Sequence, residues 1–306
     1  MRRRALLQAG AALLAASGLS ACGGLGTRPD ATAKVPAPGL PATPRPRARI
    51  GLALGGGAAR GFAHVGVIKA LETSGIQPDL VVGTSAGAVV GSLYAAGHGP
   101  FELQKLAIQL DESAVTDWSF FDRGFIKGEA LERFINTQAG NKPIEGLRRR
   151  FAAVATDLQS GEVIVFQRGN TGIAVRASAA IPGVFPPVAV NGREYVDGGL
   201  VAPIPVREAR SLGADLVIAV DISGRPSGKK NQGSVDVLLD TISIMGGALG
   251  KVELAAADVV IRPNLQGLPA TSFQQRHEAI LEGERAGFAA VPRIREALAA
   301  WERKAG

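Results

Sequence analysis

Ser85 stands in the stretch "VVGTSAGAVVGS", residues 81 to 92, with an apolar run before it, another after it, and only small residues at its sides. A strand that turns abruptly into a helix needs such neighbours, and a serine at the apex of that turn projects as a nucleophile. The same composition also suits a plain Gly/Ser connection. A second small-residue turn, "GGGAARG" at 55–61, follows another short apolar run. Its consecutive small residues lead into a helical pattern, so the amides of Gly56, Gly57 and Ala58 can converge on an anion. If the two apolar runs are adjacent parallel strands, those amides lie beside the Ser85 hydroxyl, as an oxyanion hole lies beside a nucleophile.

A dinucleotide site is the competing reading of the first turn. Gly55 and Gly57 fill the first two positions of G-x-G-x-x-G, but the last position holds Arg60. The acid about 20 residues on, Asp79, precedes the second strand instead of ending it, and the Walker lysine is absent. Nucleotide binding loses ground accordingly.

Serine needs a base, and the histidines on offer are His64, His98 and His277. The chain order Ser, acid, His of an α/β-hydrolase would nominate His277. Asp197 is the other candidate: in "REYVDGGLVAPIPV" it follows a short strand and precedes Gly198 and Gly199, on a turn that can present a bare carboxylate. Isolated turn aspartates more often bond their own backbone, so spacing leaves the base open. His64 reads as a structural residue of the helix after the first turn, and His98 in "GHGP" as a turn residue. No His/Asp/Glu cluster has ligand spacing, so neither a metal nor another cofactor is expected.

Strands and helices must alternate to bring these turns together. "RIGLAL", "PDLVVGTS", "RFAAVATDL", "EVIVFQ", "ADLVIAVDIS" and "ADVVIRPN" read as strands. Phe62, Val65, Ile68 and Leu71 recur at helical spacing, "AGAVVGSLYAAG" is the next helix, and further helices are expected around 128–139, 171–180, 204–212, 235–254, 274–289 and 291–304. The pattern predicts an α/β fold with a mostly parallel central sheet and helices on both faces. Sites in such sheets form in the loops at one strand edge.

The blocks "GGGAARGFAHVGVIKAL", "GTSAGAVVGSLYAAG", "ASAAIPGVFPPV" and "YVDGGLVAPIPV", in this order and spacing, resemble the patatin-like phospholipase family, in particular its compact bacterial members. The resemblance covers residues 49 to about 222 and continues more weakly beyond. It implies a three-layer patatin-like fold and metal-free hydrolysis of lipid acyl esters. Ser85 matches the family's nucleophile and Asp197 its partner base. The oxyanion loop matches the glycine-rich segment ending in Arg60 and Gly61, while Gly83, Gly87, Gly198 and Gly199 complete the motifs. Ala58 departs from the commonest form of the loop, which has glycine there; an alanine amide still donates, but its Cβ narrows the permitted dihedrals. The implied activity is phospholipase, lysophospholipase or esterase; an acyltransferase with the same dyad, or a low-turnover lipid-binding or regulatory protein, are the alternatives.

The N-terminus carries different information. "MRRRALLQAGAALLAASGLSAC" has a basic head, an apolar middle without acids, and small residues before Cys22, as in a secretory signal of residues 1–21. "LSAC" resembles the lipobox of bacterial lipoproteins, which makes Cys22, the sole cysteine, the expected lipidation site. "RRRALL" also resembles a twin-arginine signal. Gly23 is not the aspartate of inner-membrane retention, so an outer-membrane anchor facing the periplasm is expected in a Gram-negative cell. Residues 22–48 form a Pro-rich tether and 49–306 the acyl hydrolase domain. Part of the formal charge of +7 belongs to Arg2, Arg3 and Arg4, and no basic stripe with interleaved aromatics follows. Nucleic acid is therefore not an expected partner, whereas membrane lipids are, as substrate and anchor. Nothing in the sequence fixes an oligomeric state. The aromatic stretch "DWSFFDRGF" at 117–125 is expected to pack onto the core, with an apolar rim over the site as the alternative. Pro182, Pro186 and Pro187 are expected to stiffen a wall near the site.

Overall fold

The computed structural model describes residues 47–111, 128–224, 234–268 and 273–305. The expected signal segment, Cys22, all but the end of the tether, and the aromatic stretch at 117–125 lie outside the described residues.

Eight strands form one sheet: β1 (Ile50–Leu54), β2 (Leu80–Thr84), β3 (Arg150–Asp157), β4 (Val163–Phe166), β5 (Val188–Val190), β6 (Arg193–Asp197), β7 (Leu216–Val220) and β8 (Val259–Ile261). Hydrogen-bonded neighbours run β5-β6-β3-β2-β1-β7-β8, with β4 on the side of β3 opposite both β2 and β6. The stretch from β3 to β8 is parallel, and β4, β5 and β6 add antiparallel pairs at one end. The helices are α1 (Phe62–Thr73), α2 (Ala86–Ala96), α3 (Pro100–Gln109), α4 (Glu129–Gln138), α5 (Thr171–Ser178), α6 (Val206–Ser211), α7 (Ser234–Leu254) and α8 (Arg276–Ala305).

Alternation along the strands makes three layers. Leu52, Leu54, Val81, Phe151, Ile218 and Val220 face a core shared with α1, α2, α3 and α8. Their neighbours Ala53, Val82, Ala152, Val154, Val217 and Ala219 face the opposite core, with Ile204, Val206 and Ala209 around α6. Central strands are therefore apolar on both sides, as a parallel sheet covered on both faces requires.

Three elements differ from the sequence reading. The expected helices at 274–289 and 291–304 are one helix, α8, with Pro292 inside it. A proline removes one backbone donor, and here packing outweighs that loss. Gly66 of α1 and Gly283 of α8 let the two helices meet: a Cβ on Gly283 would stand 2.0 Å from the Ala63 carbonyl oxygen. The short helix α3 was not expected; Pro100 at its start and Glu102, whose carboxylate accepts the Gly99 N–H at 3.0 Å, define its N-terminus. β5 pairs with β6 as an antiparallel hairpin around Asn191 and Gly192, both at positive φ.

Candidate active site

Both small-residue turns leave the same edge of the sheet. β1 and β2 are parallel neighbours with Leu54 opposite Gly83, so the 55–61 turn and Ser85 emerge side by side. Ser85 is the N-cap of α2 at φ 54, ψ −120, a conformation L-residues rarely adopt. The elbow closes because its glycines lack side chains: a Cβ on Gly83 would lie 2.4 Å from the Gly87 backbone, and one on Gly87 2.1 Å from the Leu54 carbonyl oxygen.

β3 sets the distance between Ser85 and Asp197. Its residue Val154 partners Thr84 of β2, and the next residue, Ala155, partners Asp197 of β6. β4 occupies the other side of β3 at the same level, with Val165 opposite Val154 and Ile164 opposite Ala155. β2 and β6 therefore share one side of β3 and meet end to end, and their last residues bring Ser85 and Asp197 together. Backbone bonds lock this meeting point. The Ser85 N–H donates to Ser178 Oγ at 2.9 Å, and that hydroxyl donates to the Val154 carbonyl at 2.5 Å. Asp197 N–H donates to Ala180 O at 2.9 Å, and Thr156 Oγ1 donates to Asp197 O at 2.8 Å. Ser178 and Thr156 went unnoticed in the sequence, where a lone hydroxyl residue carries no signal of this kind.

Asp197 is only 6% exposed. Its Oδ1 accepts the Gly199 N–H at 2.7 Å, whereas Oδ2 is buried without a hydrogen-bond partner among the described residues. Burial pushes its pKa up to about 6, partly offset by the nearby Ser85 hydroxyl and the Gly199 amide.

The expected oxyanion loop at 55–61 offers fewer free amides than the sequence suggests. Gly56 N–H donates to Pro203 O at 2.9 Å and Gly55 N–H to Val220 O at 3.1 Å, so both amides are engaged in holding the loop to the sheet. Among the described residues, the Gly57 and Ala58 amides make no hydrogen bond. The Gly56 amide is thus not free for the expected donor role, although Gly56 packs directly on Ser85: a Cβ there would stand 3.3 Å from Ser85 Cβ. Ala58 adopts φ 49, where glycine would be at ease. Gly61 packs on Ala86, and a Cβ on Gly198 would stand 2.2 Å from the Val154 carbonyl oxygen. The Arg60 Nε donates to Leu268 O at 3.0 Å, and burial lowers its pKa from the usual arginine value.

His64 is fully buried, with Nε2 2.8 Å from Gly55 O and Nδ1 unpartnered. Burial depresses its pKa to about 4, so it is a neutral imidazole that donates to the loop. His98 binds Gln138 O at 2.9 Å, and His277 is exposed on the first turn of α8. Neither shares a hydrogen bond with Ser85 or Asp197. Asp79, the acid of the dinucleotide reading, accepts the Ile50 N–H at 2.8 Å at the opposite strand edge. No group of metal-ligating residues occurs among the described residues.

Fold and site together define an α/β protein with a strained serine on a strand–helix elbow facing a buried carboxylate. Residues 52–210 match the family model described as patatin-like phospholipase, and the chain belongs to that family. It is 38% identical over 200 residues to an uncharacterized NTE family protein of Mycobacterium tuberculosis, covering 64% of this chain and 55% of that protein. It is 35% identical over 179 residues to Lysophospholipase NTE1 of Coccidioides immitis, and 36% over 184 residues to human patatin-like phospholipase domain-containing protein 6. Those alignments cover 56% and 58% of this chain but only 11% and 13% of the relatives. The chain thus spans about half the length of the mycobacterial relative and a small part of the other two. VipD from Legionella pneumophila shares the fold, with a TM-score of 0.52 at 17% identity over 81% of this chain and 67% of that one.

Proposed function

We propose that this protein is a lipid acyl hydrolase, acting as a phospholipase, lysophospholipase or esterase through a Ser85–Asp197 dyad. The carrying observation is the strained Ser85 beside a buried Asp197 whose Oδ2 has no hydrogen-bond partner among the described residues. Asp197 Oδ2 takes the Ser85 proton as Oγ attacks the ester carbonyl carbon. The carbonyl electron pair moves onto its oxygen, where the Gly57 and Ala58 amides donate to it. Collapse expels the alcohol oxygen, which leaves with the proton held by Asp197. Water then gives its proton to Asp197 and attacks the acyl-serine; release of the fatty acid returns the proton to Ser85. A carboxyl with a pKa of about 6 is ionised at neutral pH yet more basic than an ordinary aspartate, which suits this exchange.

An activated fluorophosphonate probe should label the wild-type protein and not Ser85→Ala. Envelope phospholipids or lysophospholipids should then yield free fatty acid. Unlabelled wild-type protein would sink the proposal, and transfer of the acyl group to an alcohol instead of water would convert it to an acyltransferase. The same reading places the protein in the cell envelope with Cys22 lipidated. Cys22→Ser should change its size and release it from membranes; unchanged fractionation would remove the anchor from the proposal.

A further inference from the structure

α7 carries an unusual outer face. Val237, Ile244, Met245, Leu249 and Val252 are between 36% and 59% exposed. At 100° per residue they fall on one side of the helix, together with exposed Thr241 and Ala248 and without any acidic residue. The opposite side is the packed one. Gly246 faces Gly199 O and the Pro203 side chain, Gly250 faces Ile204, and Glu253 pairs with Arg207. Gly199 belongs to the turn that follows Asp197, so the helix touches the site's own wall. It connects β7 to the parallel strand β8 and so runs against the strand direction. The residues from Val237 to Gly246 therefore extend on the site side, over about 14 Å.

We propose that this face of α7 docks on the lipid–water interface and brings the Ser85–Asp197 site to membrane-borne substrate. The proposal rests on the lipid acyl hydrolase reading and supplies the surface that reading lacks. The chain outside the described residues reaches the domain at Arg47, whose guanidinium pairs with Asp79 at the strand edge opposite the site. Residues 23–48, if extended as a Pro-rich tether, would reach roughly 80 Å at about 3.1 Å per residue, against a domain diameter of about 45–50 Å. An anchor at Cys22 would thus keep the domain near a membrane without turning the site toward it; a contact on the site side must do that. Charge does not oppose a lipid partner: exposed Lys251 borders the stripe on the same side as the half-buried Asp240. The stripe offers on the order of 500 Å² of apolar surface, a large functional patch, but less than the ~800 Å² each partner gives a standard protein interface.

The test uses the exported chain with Cys22→Ser, so that any binding is independent of the anchor. It is floated with vesicles of phosphatidylethanolamine and phosphatidylglycerol. The paired change Ile244→Glu/Met245→Glu should lower vesicle partition at least tenfold while hydrolysis of a monomeric short-chain ester stays within twofold. A dye on Ile244→Cys should shift to the blue on vesicles, and one on Lys304→Cys should not. Equal partition of the two proteins, or an unresponsive dye at 244, would overturn the proposal. So would a wild-type dimer that the paired change dissociates, which would assign the face to a second copy. Vesicle binding that depends on α7 without any ester hydrolysis would keep the docking surface and remove the hydrolase reading instead.

Discussion

The strand-start edge of the sheet and the two small-residue turns at its other edge treat their polar groups differently. Where strands begin, the same short pattern recurs: Asp79 before β2, Asp215 before β7 and Asp258 before β8. Each accepts a backbone N–H at the start of a neighbouring strand: Ile50 at 2.8 Å, Arg49 at 2.9 Å and Val217 at 2.6 Å, respectively. Each also pairs with an arginine, namely Arg47, Arg49 and Arg210. Every one of these carboxylates is held by donors. Where strands end, Asp157 at the end of β3 and Asp221 after β7 are held in the same way, by Arg193 and Arg262 and by backbone N–H groups, but the polar groups around the two small-residue turns are less well served. Among the described residues Asp197 Oδ2 and His64 Nδ1 are buried without hydrogen-bond partners, and Ser85 and Ala58 sit at positive φ. Unsatisfied buried groups and strained backbone cost stability and persist where a site uses them. The difference teaches that backbone strain and unsatisfied groups gather around the two turns proposed to carry the chemistry, while Asp79, Asp157, Asp215, Asp221 and Asp258 along both edges are satisfied.

Substitutions can break that division. The largest expected effect is on the site edge: Ser85→Ala and Asp197→Asn should each lower ester hydrolysis by about 10³-fold or more, while His277→Ala stays within twofold. Asp197→Asn should also raise stability above pH 6. The native pKa of about 6 exceeds the ordinary 3.8, so the folded state holds its proton more tightly and loses stability as pH rises between those values. Removing the carboxylate relieves up to about 3 kcal/mol. Denaturant titration at pH 7.5 checks it, and an Asp197→Asn protein that is both active and less stable would erase the contrast.

At the opposite edge, Asp258→Ala should cost about 1–3 kcal/mol by orphaning the Val217 N–H and Arg210. Its kcat should not change, which a urea melt beside an ester assay will show. A pH profile sharpens the site side: kcat/KM should rise through about pH 6 and level above it, falling about tenfold by pH 5, because the base must be ionised. His64 acts in the same range with the opposite sign for stability. Its depressed native pKa favours the fold above the ordinary 6.5 and withdraws that support as pH falls toward 4, so stability and rate should be measured separately. The smallest effect is expected from Ala58→Gly, which should stabilise the folded protein by about 1 kcal/mol or less, since φ 49 suits glycine. A destabilised Ala58→Gly would show that this loop stores no strain.

Much of this was legible in the residues. The elbow around Ser85 could be read because glycine and alanine on both sides of one serine serve few other purposes, and β1, β2, β3, β7 and β8 announced themselves as apolar runs. The long helix α8 could not be read, because Pro292 looks like a stop unless the glycine crossing with α1 is known to hold the helix together. Nor could the loop's donors: Gly56 and Gly57 are equivalent in one dimension, and only the position of the Pro203 carbonyl removes one of them. Spacing left Asp197 and His277 as rival bases, and the family resemblance favoured the aspartate before any geometry was known.

The sequence by itself therefore determined the local shapes: which runs are strands, where a serine is lifted on a tight turn, and which turn can bare a carboxylate. These follow from short-range sterics and periodicity, which are properties of neighbours in the chain. Tertiary structure decided what meets what. Consecutive residues of β3, Val154 and Ala155, bring Thr84 and Asp197 to one side of the same strand, although more than a hundred residues separate them in the chain. Burial there, and not residue type, raises the Asp197 pKa, because desolvation depends on the groups that fold over a carboxylate and not on those beside it in sequence.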